Sequence, residues 1–125
     1  MNNYVGIKDL IGKTCTAIEG GRQGDDTMTL TCADGSRYYF YHSQVCCESV
    51  SIEDVEGELD YLLNTPILRA EENSSEEVES ADYTGGQSHT WTFYRFATIK
   101  GTVVLRWLGE SNGYYSESVN FVKLN

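Results

Sequence analysis

Positions 42–48 hold an imidazole, a hydroxyl, two adjacent thiols and a carboxylate: His42, Ser43, Cys46, Cys47 and Glu48. A structural zinc site would take His42, Cys46 and Cys47, with Cys15 or Cys32 adding thiolates. Such sites need four converging ligands, usually from paired short motifs, and the chain has no Cys-x-x-Cys. Neighbouring side chains also diverge, so Cys46 and Cys47 are poorly arranged to hold one ion. A thiol nucleophile would need Cys46 within about 3 Å of the His42 ring, with Glu48 or His89 orienting the base. No nucleophile elbow or family-specific cysteine signature accompanies them. Adjacent cysteines can also close a vicinal disulfide, through a strained ring. The plainer expectation is the end of a β meander turning into the next segment, with His42 capping the turn. Its polar side chains then form one wall of a binding site. Metal ligation by His42, Cys46 and Cys47 and a Cys/His or metal-dependent hydrolase rank behind that reading.

Other groups of chemical interest are weaker. Asp25-Asp26, Glu53-Asp54 and Glu71-Glu72 are sequence neighbours. Acid–base pairs converge from different elements, whereas neighbours on a strand point to opposite faces. Gly20-Gly21-Arg22-Gln23-Gly24 lacks the spacing of a phosphate loop and reads as a turn. The aromatics carry more. Tyr38, Tyr39 and Tyr41 fill one run, Trp91, Phe93, Tyr94 and Phe96 another, and Tyr114-Tyr115 a third. Successive strand residues alternate in direction, so these rings cannot all enter one core. Some must cover an outer sheet face, where they suit stacking or a protein partner.

The elements that would carry these groups are mostly strands. Residues 6–12 suggest a short helix ending at Gly12. Residues 14–42 suggest a three-stranded antiparallel meander. In its middle run Met28, Leu30 and Cys32 alternate with threonines, and Asp34-Gly35 marks a tight turn. The run Ser49–Val55 reads as a strand, and Asp54–Asn64 offers a short helix stopped by Pro66. Ile67–Glu72 reads as a short strand. Residues 73–88, polar and acidic, are expected to form a mobile loop. Three β-rich runs follow, His89–Ile99, Thr102–Glu110 and Tyr114–Leu124, separated at Lys100-Gly101 and at Asn112-Gly113, the strongest short hairpin signal. The expectation is one domain over residues 1–125, α+β but predominantly antiparallel β. Two three-stranded meanders would form a sandwich, open barrel or sheet, with one or two short helices.

The chain has 125 residues and a net charge of −10, concentrated in one stretch. Residues 48–82 contain twelve acids and one base, leaving seven acids and eight bases elsewhere, a net of +1. A phosphate-contacting nucleic-acid binder needs the opposite sign, so direct nucleic-acid binding is not expected. Glu53, Asp54, Glu56, Glu58, Glu71 and Glu72 are candidates for an acidic face that meets a basic partner. The opening residues show no basic-then-apolar leader, and no apolar run approaches membrane-spanning length. A soluble cytosolic protein with free thiols follows as the expectation.

Three blocks together carry a resemblance: "LIGKTCTAIEGG", "YHSQVCCESVSIEDVEGELDYLLNTPILRAEE" and "HTWTFYRFATIKGTVVLRWLGESNGYYSESV". They resemble a family of small accessory proteins carried by tailed bacteriophages. Val45 departs from the aspartate more usual before the Cys-Cys pair. The resemblance implies an accessory protein working in the cytoplasm of the bacterial host. It carries no established reaction, so it assigns no catalytic residues and no cofactor. It favours a non-enzymatic binding protein that antagonises a host process such as antiviral defence. One mode is capture of a small ligand such as a signalling nucleotide. The pocket would then be walled by His42, Ser43 and Glu48 on one side and Glu110, Ser111, Asn112, Tyr114, Tyr115 and Ser116 on the other, with Arg95 or Arg106 meeting phosphate. The other mode is occlusion of a host protein by the acidic segment. A minor virion or structural protein is a further alternative, and self-association stays open.

Overall fold

The structure is a computed structural model that describes residues 3–78, 88–113 and 115–124. Its strands are β1 (Asn3–Tyr4), β2 (Cys15–Gly20), β3 (Met28–Cys32), β4 (Arg37–Tyr41), β5 (Ser49–Glu56), β6 (Arg69–Val78), β7 (Ser88–Thr98), β8 (Gly101–Ser111) and β9 (Asn120–Lys123). Every strand pair is antiparallel. The expected helices shrink to two 3-10 turns, Ile7–Leu10 and Leu59–Leu62. Among the described residues no helix is long and apolar enough to cross a membrane.

The strands form two sheets, one ordered β1-β9-β4-β3-β2 and the other β5-β8-β7-β6. They enclose one core. Met28, Leu30, Tyr38, Phe40 and Phe121 enter it from the first sheet, and Val50, Ile52, Tyr94, Phe96, Val103, Leu105 and Trp107 from the second. Phe40 joins the layers: its ring meets Tyr94 edge-on at 5.1 Å and Phe96 at 6.2 Å. The meander β2-β3-β4 matches the alternation of its sequence. Tyr38 and Phe40 point inward, and Tyr39 and Tyr41 stack on the outside at 5.0 Å. Its turn is held by Asp34, which accepts from the Ser36 amide at 2.9 Å and pairs with Lys13 at 2.6 Å. The lysine and the serine bonds hold the Asp34 carboxyl well below the usual carboxylate range.

Three features depart from the sequence expectation. First, the Asn112-Gly113 turn does not fold the last run back onto β8. That strand already has β7 along one edge and β5 along the other. The chain therefore crosses to the opposite sheet, where β9 pairs with β4 and β1. The second three-stranded meander is thus made of β6, β7 and β8 in place of the last three runs. Second, β6 continues to Val78 and pairs position by position with Ser88–Ala97. Residues 73–78 of the expected loop are strand, and 79–87 lie outside the described residues. Alternation is missing from β6 because, beyond buried Ala70, residues 72–75 are exposed on both sides of this edge strand. Third, β5 carries a bulge between Ile52 and Asp54 that leaves Glu53 without an opposite number. The bulge lets Val50, Ile52 and Val55 all pair with inward positions of β8.

Phe40→Ala is expected to cost about 3–5 kcal/mol of unfolding free energy in urea, because it empties the contact between the sheets. Tyr39→Ala, one residue away on the outer face, should cost under about 1 kcal/mol. Equal losses would contradict the inward assignment.

Candidate functional site

The chemically rich loop is organised around one buried carboxylate. Glu48 immediately precedes β5, at a position where its side chain is fully buried, and charge there requires donors. It has three. The Val45 amide donates to Oε2 and the Cys46 amide to Oε1, each at 2.9 Å, and His42 Nε2 lies 2.8 Å from Oε2. The other ring nitrogen, Nδ1, lies 2.6 Å from the Ser118 carbonyl. Gln44 closes the loop by donating to the carbonyls of Cys46 at 3.1 Å and Glu48 at 2.6 Å. The His42 bond, assisted by the loop amides, lowers the Glu48 pKa to about 2. Ser43 donates its amide to Asn120 Oδ1 at 3.0 Å.

Cys46 and Cys47 lie exposed on this loop and are bonded to each other. With both sulfurs engaged and both His42 nitrogens facing oxygens, the zinc and thiolate–imidazole arrangements weighed above do not assemble. Among the described residues no group of three or more His, Cys, Asp or Glu side chains is arranged to hold a metal. The free thiols, Cys15 and Cys32, are buried opposite each other on β2 and β3. The hydrogen bond it donates to Cys32, together with burial, pushes the Cys15 thiol up.

A second buried acid was not singled out by sequence. Glu117, in the crossover between β8 and β9, accepts from Ser88 Oγ at 3.1 Å and Thr90 Oγ1 at 2.7 Å, and from Ser111 Oγ. The signal is Gly109. It interrupts the inward series Val103, Leu105, Trp107, and a Cβ there would lie 2.4 Å from the Glu117 carbonyl oxygen. The missing side chain is what admits the crossover. His42 faces the Ser118 carbonyl, beyond the expected second wall, and several polar groups of this region bond within the protein. Ser111 bonds Glu117, and the Ser116 hydroxyl lies 2.8 Å from that of Ser118. Asn112 and Tyr115 belong to the same crossover, and Tyr114 lies outside the described residues.

The arginines sit elsewhere. Arg95 and Arg106 project from the outer face of the four-stranded sheet, turned away from the core. They share it with Trp91, Phe93, Val104 and Leu108. The Arg106 guanidinium lies over the Trp91 ring at 4.9 Å and 3.8 Å from Asp54. Glu110 lies further along this face, 3.2 Å from His89. The acidic residues do not make one face. β5 and β6 are opposite edges of the sheet, so Asp54 and Glu56 border the aromatic–arginine centre on one side and Glu71 on the other. Glu53 projects from the bulge, Glu58 joins Arg22 at a separate hollow of ≈ 350 Å³, and Glu72 takes the opposite face of β6 from Glu71.

Glu48→Gln is expected to lower the melting temperature at pH 7, because the amide cannot accept all three bonds. The ordinary carboxyl pKa of 4.5 falls to about 2 on folding. Its contribution is therefore complete above pH 4.5 and lost as pH falls through about 2. Urea titrations from pH 7 to pH 2 should show the gap between the parent chain and the variant closing across that window; a gap constant with pH would rule out the caged carboxylate.

Residues 8–121 match a family model described as Domain of unknown function (DUF7448). No curated protein and no solved structure shows significant similarity. The chain belongs to the DUF7448 family.

Proposed function

We propose that this chain is a non-enzymatic binding protein that antagonises a process of a bacterial host by covering a protein partner with the outer face of its four-stranded sheet. The observation that carries the reading is the composition of that face. Trp91, Phe93, Val104 and Leu108 are half-buried on the side facing away from the core, and Arg95 and Arg106 stand among them. Trp, Tyr and Arg anchors at the centre of a patch supply most of the binding energy in protein interfaces. Asp54 and Glu56 on one margin and Glu71 on the other give it an acidic rim. A partner with an apolar centre and a basic rim fits that pattern, and the rim would steer its approach. The resemblance to bacteriophage accessory proteins supports a host partner in the bacterial cytoplasm. The internal bonding of His42, Glu48, Ser111 and Glu117 supports binding over turnover, because those groups serve the loop and the crossover.

The test is affinity capture from host lysate, comparing the parent chain with Trp91→Ala/Phe93→Ala. The double variant should keep its far-ultraviolet circular dichroism and lose at least about tenfold in partner recovery. Capture by the parent chain should weaken between low and high salt. A double variant that recovers the same proteins in the same amounts would refute this use of the face.

A further inference from the structure

Lys8, Arg69 and Arg95 come from three separate elements and line one groove of ≈ 380 Å³. Lys8 lies on the first 3-10 turn, Arg69 begins edge strand β6, and Arg95 stands in β7. The chain has nine lysines and arginines against nineteen acids. A third of its cations thus converge on this hollow, where Glu71 is the one carboxylate of the lining. Arg69 Nε lies 3.5 Å from Glu71 Oε1. Lys8 and Arg95 make no ion pair among the described residues. In a protein this acidic, cations left unpaired around a concavity leave a local positive potential that favours an anion. Two guanidinium forks beside an ammonium match the several oxygens of a phosphoryl group.

A second hollow, of ≈ 140 Å³, opens beside the groove and shares Glu71 and Arg95 with it. Its remaining walls are Asn73, Phe93 and Val104. Phe93 offers a half-exposed ring for stacking, and the Asn73 amide both donates and accepts. A cationic seat therefore adjoins an aromatic shelf, with Arg95 common to both.

We propose that the two hollows form one site for a phosphorylated compound bearing a planar ring, with phosphate held by Lys8, Arg69 and Arg95 and the ring laid against Phe93. The site shares Phe93 and Arg95 with the partner-facing surface, but it is read on the purified chain, so its failure and that of the protein-partner reading are distinguishable.

Isothermal titration calorimetry on the full chain at low salt tests it with adenosine diphosphate, inorganic pyrophosphate and adenosine as probes. Adenosine diphosphate should bind, pyrophosphate more weakly, and adenosine at least about tenfold more weakly than the diphosphate. Arg95→Gln should weaken adenosine diphosphate and pyrophosphate alike by about tenfold or more. Phe93→Leu should weaken adenosine diphosphate and leave pyrophosphate unchanged. Arg37→Gln, at the exposed first position of β4 in the other sheet, controls for general charge and should change neither. Absence of heat from both phosphates at millimolar concentration would overturn the site. So would equal losses in Arg95→Gln and Arg37→Gln. A Phe93→Leu variant that binds adenosine diphosphate as tightly as the parent chain would overturn the ring shelf.

Discussion

Strand β8 has a neighbour along each edge, and that constraint organises much of the molecule. A strand's backbone donors and acceptors point alternately to its two sides, so two partners satisfy it and leave no place for a third. With β7 reached through a tight hairpin and β5 brought in from far along the chain, the segment after Ser111 must leave the sheet. It leaves over Gly109, at the position where the inward series of large side chains stops. It then enters the other sheet between β1 and β4. The crossover ties the layers together at one end of the sandwich, as Phe40 ties them in the middle.

The same end holds two buried carboxylates, Glu48 and Glu117. A charge removed from water is tolerated only when donors replace the water, so each acid gathers loop around it. Glu48 takes two amides and an imidazole, and Glu117 takes three hydroxyls. His42 connects the two clusters by facing Glu48 with one nitrogen and the Ser118 carbonyl with the other. Two stretches without regular secondary structure thereby acquire defined shapes. The exposed cysteine pair is carried on a loop whose form is set from beneath.

Legibility in the sequence follows the physics of each element. Met28, Leu30 and Cys32 alternate cleanly because β3 packs one face on the core, and the meander can be read from them. β5 is harder, since the bulge at Glu53 breaks the period without breaking the burial of Val50 and Ile52. Residues 72–75 of β6 are invisible: with solvent on both sides, no hydrophobic period exists to detect. The destination of β9 is hidden for a different reason. Asn112-Gly113 describes a local turn, whereas pairing depends on whether β8 is free, a fact set by residues fifty positions away. Among site residues, His42 and Glu48 stand out by residue type and lie together, but residue type cannot tell a carboxylate that faces a ligand from one that faces its own loop. Arg95 and Arg106 lie on the face with the outward aromatics instead of beside the 42–48 loop, because alternation along β7 and β8 groups them with Trp91 and Phe93.

The two margins of the four-stranded sheet bear on how the protein behaves in a crowded solution. An open sheet invites other strands to extend it, and long, flat, apolar edges nucleate aggregates. Here one edge is interrupted by the bulge at Glu53, and the other presents Arg69, Glu71 and Glu72 in close succession. Both devices discourage a foreign strand from docking in register. Indiscriminate lengthwise stacking is thus disfavoured, while the outer surface stays open to a visitor that brings its own complementary shape.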